Sequence, residues 1–218
     1  MNAPFRYVFA HRGGRAHGPD NTIETFRAAL ARGAVGLETD AWLTIDGHVV
    51  LDHDGVLRAA RKRKQPIAQV RRDDLPAHIP TLDELYASCG SDYYLAIDVR
   101  LPEVATAVID VSRSYDALDR LWLVGATPTL LHSWQHLDHS GHYAMSIRVV
   151  ERRGDIISTA RHAGADALNM RWPWWTKRWV RRAHEAGLLA FAYDVQWHWA
   201  RERCARLGLD AVFTDHVP

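Results

Sequence analysis

Short apolar runs of strand length alternate with longer amphipathic segments along the chain, and this alternation most restricts how it can fold. Strand-like runs fall at 7–10, 35–42, 48–53, 94–99, 121–124, 143–149, 167–170, 189–193 and 211–214. Between most of them apolar residues recur at helical spacing. In 22–32, Ile23, Phe26, Ala29 and Leu30 share one face, after an Asn21-Thr22 start at which either side chain is a suitable cap. Pro80-Thr81 opens a helix over 82–89, and 102–114, 128–136, 156–163, 176–186 and 197–207 read the same way. Gly33, Gly164, Gly187 and Gly208 stand where such helices stop. Repeated strand–helix units imply a mostly parallel sheet, and about eight of them in 218 residues favour a closed (β/α)8 TIM barrel over an open sheet. One unit, 35–53, is irregular: a strand, a tight Ile45-Asp46-Gly47 turn and a second strand. No linker, repeat or low-complexity stretch divides the chain, so one α/β barrel domain over 1–218 is expected.

Composition narrows the function classes. With 47% hydrophobic and 24% charged residues the chain can build a sizeable core. A formal net charge of +1 gives no reason to expect a nucleic-acid partner. The two cysteines, Cys89 and Cys204, are far apart and in no metal or redox spacing, which points to a reducing compartment. No stretch approaches 18 apolar residues, and the first strand begins too early to follow a signal peptide. A cytoplasmic protein without a membrane span is expected, with peripheral membrane contact left open and the oligomeric state unread.

The chemistry-bearing residues gather at the ends of the predicted strands. In a barrel the C-terminal strand ends form the reactive rim, and His11, Glu38, Asp40, His53, Asp98 and Arg100 all lie at or near such ends. Glu38 and Asp40 are two apart and so share a strand face. Two carboxylates on one face repel unless a proton or cation lies between them. An oxygen-rich, cysteine-free set suits Mg²⁺ or Ca²⁺ better than zinc, and Asp98 adds a third carboxylate. One such carboxylate alone would read as a cap or surface group; the set at successive strand ends does not. The unperturbed imidazole pKa lies near neutrality, so His11 and His53 are the candidate general base and acid. Arg12 and Arg100 are candidates for binding an anion such as phosphate. Histidines, arginines and a divalent cation together suit phosphodiester cleavage.

His11-Arg12-Gly13, Pro19-Asp20-Asn21-Thr22, Leu37-Glu38-Thr39-Asp40, the Thr44-Ile45-Asp46-Gly47 turn and His53-Asp54 together resemble the glycerophosphodiester phosphodiesterases. Ile79-Pro80-Thr81-Leu82, 95–100 and 208–215 agree more loosely. The resemblance implies a TIM barrel that uses Mg²⁺ or Ca²⁺ to hydrolyse glycerophosphodiesters to an alcohol and glycerol 3-phosphate; some members act on lysophospholipids instead. It implies His11 and His53 as the catalytic pair, and Glu38, Asp40 and Asp98 as metal ligands. Arg12, Arg100, Asn21 and Tyr193 are the implied substrate-binding residues. It also implies attack on phosphorus by the neighbouring glycerol hydroxyl, through a cyclic phosphate. This chain departs from the family pattern at Asp20 and Asp98, where Glu is usual, and at Arg100, where Lys is usual. Tyr193 takes the place of a Trp, and a Ser-Phe pair is missing around Gly125-Ala126. The chain is too short for the large inserted subdomain of bigger members. Two other readings remain: a lysophospholipase D-like enzyme, and a degenerate barrel that binds a phosphorylated ligand without cleaving it.

Three features stand apart. The run His132, His136, His139 and His142 lacks a completing carboxylate or cysteine and is read as solvated surface. The basic run Arg61-Lys62-Arg63-Lys64 is read as a solvated loop that could also draw anions or a negative lipid surface. Trp172-Pro173-Trp174-Trp175 is either loop packing or an apolar wall for an acyl chain or choline-like head group.

Overall fold

The structure is a computed structural model that describes residues 5–58, 64–137, 140–147 and 155–217. In chain order its elements are β1 (Tyr7–His11), α1 (Ile23–Ala31), β2 (Gly36–Leu43), β3 (Val49–Leu51), β4 (Val56–Arg58), β5 (Lys64–Pro66), α2 (Leu82–Cys89), β6 (Tyr94–Asp98), α3 (Pro102–Ser114), β7 (Leu121–Gly125), α4 (Pro128–Trp134), β8 (His142–Ile147), α5 (Ile156–His162), β9 (Ala167–Arg171), α6 (Lys177–Glu185), β10 (Leu189–Tyr193), α7 (His198–Leu207) and β11 (Ala211–Thr214). Strands β1, β2 and β6 through β11 pair in parallel in that order, and β11 pairs back onto β1. The ring is therefore the closed eight-stranded barrel expected from the alternation. Strand β3 extends it by pairing antiparallel with β2.

Local chemistry fixes the helix ends. Thr22, not Asn21, caps α1: its hydroxyl accepts from the Thr25 N–H, and Thr25 returns the bond to the Thr22 backbone. Thr81 and Glu84 form the same reciprocal box on α2. Gly208 closes α7 at φ 82°, a left-handed position that a β-carbon would strain.

Two differences from the sequence reading lie in the irregular unit. The second strand there is Val49–Leu51 only, which leaves Asp52 and His53 in a turn. Beyond it comes a hairpin, β4 paired antiparallel with β5, then two short 3₁₀ turns at 67–69 and 72–74. The hairpin has no sequence signature because β5 is exposed throughout and carries no alternating apolar residues. Of the basic run, only Lys64 lies within the described residues, exposed on β5. Val50, Ile67, Val70, Leu75 and Ile79 form a small core of their own under this segment, with Trp42 and Leu57 against it.

Alternate strand residues point inward, and Tyr7, Phe9, Ala96, Trp122, Val124, Ala144, Ala167, Phe191, Ala211 and Phe213 fill the barrel. Phe9 stacks on Phe213 at 4.7 Å, and Tyr7 meets Tyr94 edge-on at 4.7 Å. These rings plug the lower barrel, so only the upper layer remains for chemistry. Gly36 on β2 makes room for the plug: a β-carbon there would lie 2.7 Å from Cδ1 of Phe9 and 3.1 Å from the Tyr94 carbonyl oxygen. Gly36→Ala should therefore cost about 1–3 kcal/mol of unfolding free energy, the usual scale for overpacking a closed core. Urea denaturation measures it, and an unchanged midpoint would contradict this account of the plug.

Candidate active site

His11 ends β1, and the closure of the ring gives it a carboxylate on each side. Its strand partner on β2 is Glu38, whose Oε2 lies 3.8 Å from His11 Nε2. Just beyond β11, Asp215 places Oδ1 2.6 Å from His11 Nδ1. Burial alone would lower the His11 pKa, but the Glu38 and Asp215 carboxylates outweigh it and raise the value above 6.5. Asp215 moves the other way. Burial raises it, while the His11 hydrogen bond and charge and the Arg15 guanidinium hold it below 3.8. Its backbone N–H donates to Gln196 Oε1 at 2.8 Å, which anchors the turn.

The segment after His11 wraps back over Glu38. Arg12 sits at φ 50°, unusual for a residue with a side chain, and its N–H donates to Glu38 Oε2 at 2.9 Å. Its carbonyl accepts from the Asn21 N–H at 3.0 Å. Asn21, also left-handed at φ 54°, accepts the Thr39 hydroxyl on its Oδ1 at 2.8 Å. Asn21 thus ties the loop to β2 and is buried beneath the rim. The Arg12 guanidinium is largely buried; it donates to Asp20 Oδ2 at 3.2 Å, while its Nε has no hydrogen-bond partner.

Glu38 and Asp40 on β2 and Asp98 on β6 lie at neighbouring strand ends. Asp40 on β2 is the strand partner of Asp98 on β6, and both Glu38 and Asp40 are buried. Burial and the Glu38 charge lift Asp40 from 3.8 to about 6, against the pull of Arg100 and His53. Burial, Asp40 and Glu38 also raise Asp98 well above the usual carboxylate value. Arg100 donates to Asp40 Oδ1 at 2.9 Å and lays its guanidinium over the Trp42 ring at 4.8 Å. It serves here as the counter-charge of a carboxylate. Among the described residues, no three His, Cys, Asp or Glu side chains converge closely enough to grip a metal ion as they stand.

His53 reaches the same rim from the turn after β3. The Trp42 indole N–H donates to the Asp52 carbonyl at 2.6 Å, and Asp52 Oδ2 accepts the Gly55 N–H at 2.7 Å. Gly55 packs so tightly on the Trp42 ring that a β-carbon would clash. The partly exposed His53 bonds Asp54 through Nδ1 at 2.9 Å. On the opposite wall, Tyr193 donates its hydroxyl to the Ile147 carbonyl at 3.3 Å and meets Trp174 edge-on at 6.4 Å. A cavity of about 410 Å³ opens beside Asp98, lined by Arg100, Pro102, Thr127, Leu130 and Ser146 among others.

Sequence reasoning missed the roles of Asp215 and Trp42. Asp215 is a carboxylate at a strand end, the same signal that marked the other three. Trp42 carried no signal, since its partners come together only in the fold. Trp175, from the tryptophan run, is packing: fully buried, it donates its indole N–H to the Phe191 carbonyl at 2.8 Å. Trp172 and Trp174 are partly buried on the rim. His132 and His136 are exposed neighbours with ring centroids 6.2 Å apart, and His142 stacks on Trp122 at 4.5 Å; His139 lies outside the described residues.

A carboxyl whose folded-state pKa exceeds its unfolded value stabilises the fold below the unfolded value and loses that contribution as pH rises through the folded one. In chelator, stability should therefore fall between about pH 4 and pH 6 through Asp40. Asp40→Asn should flatten that part of the profile, read by denaturant unfolding at several pH values; an equal slope in both proteins would refute the shift.

Comparison with known proteins points to one family. A profile described as the Glycerophosphoryl diester phosphodiesterase family matches residues 11–218. A glycerophosphodiester phosphodiesterase of Caldanaerobacter subterraneus subsp. tengcongensis is 27% identical over 134 residues, 52% of this chain and 55% of that protein. Human glycerophosphodiester phosphodiesterase 1 is 36% identical over 98 residues, 38% of this chain and 30% of that protein. The aligned stretches thus span about half or less of these relatives. Among solved structures, a Thermotoga maritima glycerophosphodiester phosphodiesterase superposes with a TM-score of 0.83 at 23% identity, covering 96% of this chain and 94% of that one. An Oleispira antarctica phosphodiesterase in complex with the product sn-glycerol-3-phosphate gives 0.86 at 20% identity, covering 98% and 94%.

Proposed function

The chain belongs to the glycerophosphoryl diester phosphodiesterase family, and from that premise we propose that it hydrolyses glycerophosphodiesters to an alcohol and glycerol 3-phosphate. The observation that carries this reading is His11, held through Nδ1 by Asp215 at 2.6 Å with Nε2 turned toward Glu38 at 3.8 Å. That bond fixes the tautomer and leaves Nε2 as the proton-transfer site. The product named for the Oleispira antarctica protein is the one this reaction releases.

By donor chemistry, Glu38, Asp40 and Asp98 are the residues that would hold a hard divalent cation, Mg²⁺ or Ca²⁺. All their donors are oxygens, and the burial and repulsion that lift Asp40 and Asp98 are what such an ion relieves. When bound there, it supplies positive charge for the phosphate oxygens and a lowered hydroxyl pKa. Arg12, with its unpartnered Nε, binds the phosphate. The cavity beside Asp98 takes the alcohol. His11 Nε2 accepts the proton of the glycerol hydroxyl next to the ester. That oxygen bonds to phosphorus, the bond from phosphorus to the alcohol oxygen breaks, and His53 protonates the departing alcohol. Water then opens the cyclic phosphate with the proton transfers reversed. Cys89 and Cys204 are free thiols, which suits the cytoplasm, and no described helix is long and apolar enough to cross a membrane.

Hydrolysis of glycerophosphodiesters with Mg²⁺, Ca²⁺ or chelator tests the reading. His11→Ala or His53→Ala should lower turnover by ~10²-fold or more, the usual scale for positioned proton transfer, and the double variant should lose little beyond the worse single one. Asp215→Asn should move the pH–rate limb assigned to His11 to lower pH, because Asp215 raises that pKa. Near-normal turnover in His11→Ala would remove the assignment. Calorimetric titration with Mg²⁺ and Ca²⁺ tests the ion separately: Glu38→Gln should weaken binding, and equal binding would reject the ligand set.

A further inference from the structure

We propose that an edge formed by Trp172, Trp197 and Trp199 docks the catalytic face of the barrel on an anionic lipid surface. Trp172 follows directly on β9, and Trp197 and Trp199 begin α7, four and six residues beyond β10. Both loops leave the C-terminal ends of strands, so the indoles share a face with His11 and Asp98.

Trp197 and Trp199 are 53% and 55% exposed, although neighbouring Trp175 is fully buried. Large apolar side chains that cluster in water mark an interaction surface. The pair stacks at 5.9 Å with an 18° interplanar angle, and Trp199 meets Trp172 edge-on at 5.0 Å. The base beneath is fixed: Arg203 donates to the Trp172 and Trp175 carbonyls at 3.1 and 2.9 Å and lies 5.5 Å from the Trp172 ring centroid.

The geometry decides between occupants. A quaternary ammonium sandwiched between two rings needs roughly 7–8 Å between them, twice an ordinary carbon contact. At 5.9 Å the stacked indoles leave no such slot. A second copy of the chain would need about 800 Å² of interface on each side, whereas two half-exposed aromatic side chains offer roughly 250 Å². A bilayer asks for less: indoles settle at the headgroup level, with cations nearby for anionic lipids.

Those cations are present. Lys177 and Arg178, the first residues of α6 beyond the tryptophan loop, are exposed, and among the described residues neither enters an ion pair. Arg171, by contrast, is neutralised by Asp194 at 2.7 Å. Two indoles at the headgroup level beside two free cations match the charge and polarity of an anionic membrane interface.

Co-sedimentation of the whole chain with vesicles tests this, independently of catalysis. Vesicles of phosphatidylcholine and phosphatidylglycerol in equal parts should bind it, and pure phosphatidylcholine should bind it more weakly. Trp197→Ala with Trp199→Ala should reduce binding by at least ~tenfold. Lys177→Glu with Arg178→Glu should reduce it by about fivefold or more per position on the mixed vesicles and remove most of the salt dependence. Both variants should turn over a water-soluble glycerophosphodiester as the parent does. The proposal falls if the parent ignores both vesicle types, or if either double variant binds like the parent. It also falls if light scattering shows a dimer that the tryptophan variant cannot form.

Discussion

The pairing that closes the barrel is the contact on which the site depends. Strand β1 pairs with β2 on one side and β11 on the other. That places His11 beside Glu38 and within reach of Asp215, a residue 204 positions away. The register is held from below. Phe9, two residues before His11, fills the space that Gly36 leaves on β2, and it stacks on Phe213, two residues before Asp215. Because strand residues alternate with period two, the packing of Phe9 between Gly36 and Phe213 sets how His11 meets Glu38 and Asp215 one layer higher. A slip of one residue would turn the aromatic plug outward and disperse the site.

Above that plug the protein holds a surplus of negative charge in a poorly solvated place. Burial and the Glu38 charge raise Asp40, and burial with the Asp40 and Glu38 charges raises Asp98, the physical signature of carboxyls that favour a proton or a cation among them. Partial relief comes from within the chain: the Arg12 N–H bonds Glu38, Arg100 pairs with Asp40, and the charge on His53 lowers Asp40. The left-handed backbone of Arg12 and Asn21 belongs to this arrangement. It aims the Arg12 N–H at Glu38 and lets Asn21 lock the loop to β2 through Thr39.

Most of the barrel was legible in the sequence because strands and helices are local patterns. Helical periodicity with a proline start signal places the helices over 82–89 and 102–114, where the structure has them. The strand-end residues His11, Glu38, Asp40 and Asp98 could be grouped because a barrel sends all its strand ends to one rim. What stayed hidden depends on contacts distant in sequence or on weak patterns. The β4–β5 hairpin has no buried alternation to betray it. Asn21 looks like a helix cap in sequence, yet its side chain is committed to Thr39, and Thr22 caps instead. The tryptophan run was ambiguous as a whole because its members divide: Trp175 is buried with its N–H satisfied, while Trp172 remains on the rim.

Arg100 and Asp98 shape neighbouring parts of the rim. A lysine at 100 would present a point charge, whereas the arginine fork lies flat on the Trp42 indole at 4.8 Å while reaching Asp40 Oδ1 at 2.9 Å. Trp42 in turn holds the Asp52 carbonyl and packs on Gly55, so the ring that carries Arg100 also shapes the turn presenting His53. Asp98 stands at its strand end, where the cavity lined by Thr127 and Ser146 opens.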